Sequence, residues 1–279
     1  MPMHSNPLTL LSTGPTGSAL GLDLPPGSLV AETYSGPWAE PLLWVADDTA
    51  TPAAWARYAA ASAGTGLRPV LLEPDTHVAE WWRGALDPAL TSRPADHDAE
   101  AVLKGLWDDA ALDHEDEEDD DGDEGGGGIL APYTGSWPGI APSRPVSADA
   151  DAVAAEVVGE LSEHRFSGPR LALVPVARSA DLPAAIGWAG PLNHENDTAR
   201  LCAVLRSWED RFGVRVVALS LDRLDLSVAA PPRTVEEALA VAAEHFAFCP
   251  DNVWQGYETL LTYAEEALVG NHHWTFWWD

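Results

Sequence analysis

Positive charge is scarce in this sequence. Lys and Arg number 15 against 44 Asp and Glu in 279 residues, a formal net charge of −29. A nucleic-acid surface must neutralise phosphates with cations, so DNA or RNA binding is not expected. Docking on anionic lipid is disfavoured for the same reason. Lys104 is the single lysine, which leaves the C-terminal half without an amine for Schiff-base chemistry. Cysteine is limited to Cys202 and Cys249, too few for a disulfide scaffold. The first basic residue is Arg57, so no charged leader region is expected. No apolar run approaches the roughly 18 residues of a membrane span. The expected location is therefore the cytoplasm. Familiar catalytic signatures are missing too: no phosphate loop, G-x-S-x-G, H-E-x-x-H or C-x-x-C occurs. No metal and no cofactor are expected.

What is present is enough apolar material for a core, 46% of residues. The charge divides into three blocks. Residues 1–112 carry −9, residues 113–128 carry −10 and residues 129–279 carry −10. The middle block reads DHEDEEDDDGDEGGGG, a like-charge run ending in four glycines. It self-repels and has no apolar area to bury, so a disordered linker is expected over 113–128. An EF-hand loop does not fit, because no glutamate falls twelve positions into any frame that puts a glycine sixth. The expected organisation is an N-terminal α/β region over 1–112, the linker, and a C-terminal domain over 129–279.

Local patterns supply the elements. Short strands are expected at 28–33 and 41–46. Thr51 followed by Pro52 opens a helix that stops at Gly64. A strand at 68–73 completes a strand–helix–strand unit, for which parallel strands are expected. A further helix is expected over 96–112. In the second half, helices are expected at 149–165, 181–187, 197–212, 234–248 and 258–268. Thr234 and Glu237 form a capping box, and Gly213 ends the helix before it. Strands are expected at 170–177, 214–221, 224–229 and 273–278. Pro175 points to an edge position for the first of these. Leu224, Leu226 and Val228 alternate with Asp225 and Ser227, which points to a half-exposed strand. The expected fold class is α/β, with α+β as the alternative. A mixed sheet covered by helices forms the C-terminal domain, and a smaller βαβ-containing domain precedes it.

Three phrases add a resemblance. They are the W-E-D-R-F-G helix end (208–213), the E-H-x-x-x-C-P-D-N turn (244–252) and the F-W-W-D ending (276–279). Together they resemble the actinobacterial family called domain of unknown function 4253, over about residues 135–279. The resemblance implies a fold and brings no activity with it.

Several residues are candidates for chemistry or binding. His245 and Cys249 are spaced i, i+4, and Asp251 follows the Pro250 break. This trio has the residue types of a thiolate–imidazole nucleophile or of a zinc site, and equally of a buried helix end. Asn193, His194, Glu195, Asn196 and Asp197 crowd one loop before a helix. They are cap residues or the wall of a polar pocket at a positive helix end. Trp is abundant at 13 residues. In a terminal strand Trp274, Phe276 and Trp278 share one face and Trp277 takes the other. Trp254 and Trp277 are the aromatic binding candidates. The acidic, Trp-rich composition points to a non-catalytic interaction protein that inhibits or regulates a basic protein partner. The alternative is an uncharacterised enzyme or metal-binding domain centred on His245, Cys249 and Asp251.

Overall fold

The computed structural model describes residues 6–12, 14, 16–62, 64–73, 86–121, 128–133 and 135–279, and over 112–121 the backbone alone. Strands β1 (Gly27–Val30), β4 (Leu43–Thr49), β5 (Arg68–Leu72), β6 (Arg170–Val174), β7 (Val214–Leu219), β8 (Arg223–Val228) and β9 (His273–Trp277) form one sheet. Their order is β1-β4-β6-β5-β7-β8-β9. A separate ribbon pairs β2 (Glu32–Thr33) with β3 (Gly36–Pro37). Within the large sheet β5 and β7 run parallel and the other neighbours antiparallel. The mixed sheet expected from sequence is therefore present, with helices on both faces.

The strand order revises the expected layout in one important respect. β4 and β5 are joined by helix α1 (Pro52–Ser62) and are parallel, as expected. They are not neighbours, because β6 lies between them and pairs antiparallel with both. This is a split βαβ unit. β5 in turn lies between β6 and β7. The N-terminal and C-terminal stretches expected as separate units thus share one hydrogen-bonded sheet.

Two local expectations are also corrected. Pro175 does not mark an edge strand. β6 is interior, and it stops at Val174, one residue before the missing N–H would break the ladder. β8 is not half-exposed. Asp225 and Ser227 are 2% and 0% exposed, because helix α3 (Ala150–His164) covers their face of the sheet.

The helices form where the sequence supplies caps and a stripe. α3 is capped by Asp149, whose carboxylate accepts from Asp151 N and Ala152 N. Helix α1 lies beside it, and Trp55, Tyr58, Val157 and Leu161 pack on Leu171, Leu173 and Val217. The other face is covered by α2 (Ala99–Asp121), the short α4 (Leu182–Ile186), α5 (Thr198–Phe212) and α6 (Val235–Phe248). α5 begins at the Asp197 cap and ends at Gly213, whose φ of 66° is a conformation that other residues resist. α2 is longer than expected. It continues through residues 113–121, the first part of the acidic run, while 122–127 lie outside the described residues. The five Asp of residues 113–121 are weaker helix formers than the three Glu there, but a helix anchored by Leu103, Leu106 and Trp107 can propagate outward without a further nucleation cost.

After α6 come two short helices, α7 (Asp251–Trp254) and α8 (Leu260–Tyr263), then a π turn, Ala264–Leu268. These pieces replace the single helix expected over 258–268. They bring the chain back alongside β9, the last strand of the sheet.

Candidate functional site

The open edge of β9 borders a cavity of about 370 Å³. Its walls come from the end of α3 (Arg165), from α7 and the turn after it (Asp251, Asn252, Tyr257), from the π turn (Glu266) and from β9 itself. Register decides what β9 presents there. Trp278 N donates to Asp222 O at 3.1 Å and Val228 N donates to His272 O at 2.9 Å. Even-numbered residues of the strand therefore bond to β8, and His273, Thr275 and Trp277 turn their backbone groups outward.

Asn252 occupies part of that outward edge. Its Nδ2 donates to Thr275 O at 2.7 Å and its Oδ1 accepts from Trp277 N at 3.3 Å. One side-chain carboxamide thus fills the place of the N–H and C=O of one residue of a parallel neighbouring strand. Cys249 continues the cover: its thiol donates to Trp277 O at 3.0 Å. Asn252 Nδ2 also reaches the Tyr263 hydroxyl at 3.3 Å. The hydroxyl shares a further hydrogen bond with His245 Nδ1, 2.9 Å away. His245 sits among Trp208, Trp274 and Phe276 with ring centroids 4.9, 4.4 and 4.8 Å away.

The electrostatics of this buried set discourage chemistry. Burial holds the His245 pKa well below the ordinary imidazole value, and the nearby Arg211 guanidinium acts in the same direction. Burial pushes the Cys249 thiol and the Tyr263 phenol up, so both stay protonated. The Asp251 carboxylate bonds neither His245 nor Cys249 and accepts instead from Asp279 N at 3.1 Å, beside the end of β9. The trio His245, Cys249 and Asp251 is close in sequence, but each member serves a different partner. No thiolate–imidazole pair forms, because His245 is bonded to Tyr263 and Cys249 to the β9 backbone. Among the described residues no group of three His, Cys, Asp or Glu side chains is placed to hold a metal.

On the α3 side of the edge is a charged network that sequence reasoning missed. Asp225 is buried on β8. Its Oδ1 is met by Arg165 Nη1 at 3.2 Å and by His273 Nε2 at 2.8 Å. Arg165 also donates to Thr275 Oγ1 at 3.3 Å. The network ties α3 to the last two strands. The only sequence sign of it is an acid inside an apolar strand, Asp225, which reads locally as an outward residue.

The other sequence candidates fall into two groups. Trp277 lines the cavity, half-buried, with Nε1 donating to Asp222 Oδ2 at 3.1 Å. Trp274, Phe276 and Trp278 are buried on the opposite face of the strand, as the alternation requires. Trp254 is not in the wall; it packs edge-on against Phe246 at 5.5 Å. The 193–197 loop is also elsewhere. Asn193 and Asn196 are exposed. Asp197 caps α5, accepting from Ala199 N at 3.1 Å and from Ser92 N at 3.0 Å. Burial opposes ionisation of Asp197, but these hydrogen bonds outweigh it and hold its pKa below the usual value. His194 bonds Ala247 O at 3.1 Å, and burial lowers its pKa. The loop works as a cap and a splice onto α6.

A second buried ion pair explains the Glu-His phrase at 244–245. Glu244 accepts from Arg211 Nη1 at 2.8 Å, Arg211 Nη2 at 2.5 Å, Trp208 Nε1 at 2.6 Å and Ala141 N at 2.5 Å. The W-E-D-R-F-G and E-H-x-x-x-C-P-D-N phrases are therefore two halves of one clamp between α5 and α6.

No curated protein and no solved structure matches the chain. Residues 170–279 match the family described as Domain of unknown function (DUF4253), the family their phrases resemble, and the match begins at β6 rather than near residue 135.

Proposed function

We propose that the protein acts by binding a basic protein partner, as an inhibitor or regulator in the cytoplasm, and performs no chemistry of its own. The observation that carries this reading is where its charges go. Many arginines are paired with the chain's own carboxylates, among them Arg144 with Glu237, Arg165 with Asp225, Arg200 with Glu195, Arg206 with Asp181, Arg211 with Glu244 and Arg215 with Asp151. Carboxylates are left at the surface, among them Asp47, Asp48, Glu156, Glu160, Glu236 and Glu265. Such a surface attracts cationic partners over a Debye length and raises their encounter rate. The reactive side chains supply the complementary argument, since the thiol and imidazole are buried and held uncharged.

The test is a comparison of probes. Immobilised full-length chain is offered arrayed hexapeptides with Lys at alternate positions, and matched arrays with Glu instead, at low salt. The reading predicts retention from the Lys array alone. A Lys array that passes through unretained would contradict it.

A further inference from the structure

Two neighbouring backbone groups on β9 face the cavity. His273 N is bonded to Asn271 Oδ1 at 3.0 Å, and Thr275 O and Trp277 N are taken by Asn252. That leaves His273 O and Thr275 N, which have no hydrogen-bond partner among the described residues. An acceptor and a donor two residues apart are what a strand offers to one residue of a parallel neighbour. Asn252 already makes that pair of bonds at the next register along, with Thr275 O and Trp277 N. The open register is therefore shaped for the N–H and C=O of one residue of an extended chain.

We infer that this cavity is the docking groove for an extended, Lys- or Arg-bearing segment of the partner, which adds to the edge of the sheet beside β9. The inference rests on the basic-partner reading above and names the site within it. Charge complementarity selects the occupant. Asp251 and Glu266 line the cavity, and Glu265, next to Glu266 in sequence, is exposed. The wall's arginine, Arg165, is already engaged by Asp225. A cationic side chain flanking the docked residue meets carboxylates, whereas an acidic one is repelled. Trp277 and Tyr257 provide flat apolar surface for the stems of Lys or Arg. Strand addition supplies affinity through main-chain bonds and leaves specificity to alternate side chains.

The experiment uses the full chain and the Lys-alternating hexapeptide array. In the unmodified protein, hydrogen exchange at the Thr275 amide is expected to slow by about tenfold or more when a retained peptide is at saturation. Thr275→Pro removes the N–H at an outward-facing position where the ladder does not need it. It is expected to weaken peptide binding about tenfold, the worth of one hydrogen bond plus the steric block. Glu266→Arg is expected to weaken binding with the thermal midpoint unchanged, which serves if the proline variant does not fold. Binding that leaves Thr275 exchange unchanged, or that Thr275→Pro and Glu266→Arg retain in full, overturns the groove while the basic-partner reading stands. An array that is not retained at all overturns both.

Discussion

Glu244 shows how much the fold depends on single polar side chains. It is fully buried, and its two oxygens take four hydrogen bonds from Arg211, Trp208 and Ala141. Removing one member of a buried pair strands the other charge, at a cost of about 3–5 kcal/mol. Glu244→Ala is accordingly expected to lose about that much in urea unfolding, and a loss under about 1 kcal/mol would show the pair to be dispensable. His245, next in sequence, gives the stability a pH dependence. The folded imidazole resists protonation well below its ordinary value, while in the unfolded chain it titrates near about 6.5. Between those two values the unfolded state binds more protons. Stability is complete above the ordinary imidazole pKa and falls as pH drops below it, by at most about 1.4 kcal/mol per pH unit for one proton. His194 is shifted the same way by burial and contributes a dependence of the same sign. The expected result for His245→Phe is a flatter stability profile between neutral and mildly acidic pH. A profile as steep as the parent's would assign the dependence to other groups.

At the level of elements, legibility followed the range of the interaction that decides each one. α5 is readable because Asp197, its apolar stripe and Gly213 lie within one short stretch. The same holds for α6, where Thr234 accepts from Glu237 N at 3.3 Å. The role of Pro175 was misread because a proline states only where a ladder stops, not what lies beside it. Asp225 was misread because the helix that covers it and the partners that compensate its buried charge are remote in sequence, Arg165 lying 60 residues away and His273 48 residues away. No local period records such partners. The cavity at β9 is hidden for the same reason, since Asn252 and Thr275 meet only after the chain has returned along the sheet. The acidic run is the element whose role is easiest to test. α2 is anchored by Leu103, Leu106 and Trp107, all before residue 113. Deleting 113–128 and closing the gap with a short Gly/Ser linker is expected to leave the unfolding midpoint within a few degrees of the parent's. A collapse of the midpoint would show that the run supports the fold.

The whole molecule is organised by one sheet drawn from both halves of the chain. β5 comes from the N-terminal half and stands between β6 and β7, at the heart of the segment that matches the family. Expressed alone, residues 170–279 lack the strand that joins those two. They are expected to show no cooperative transition, whereas the full chain unfolds as one unit by tryptophan fluorescence and far-ultraviolet circular dichroism alike. Separate transitions for the two halves would restore the division into independent domains. The net charge of −29 belongs to this scale as well. It is spread over both halves and the acidic run, and among the described residues many carboxylates lie at the surface. The most direct measurement of the central claim is the affinity of a retained Lys-bearing peptide for the full chain as a function of salt. Attraction to an acidic surface predicts an affinity that falls steeply as salt rises and the Debye length shrinks from about 30 Å at 0.01 M to about 10 Å at 0.1 M. An affinity that does not change with salt would contradict the account.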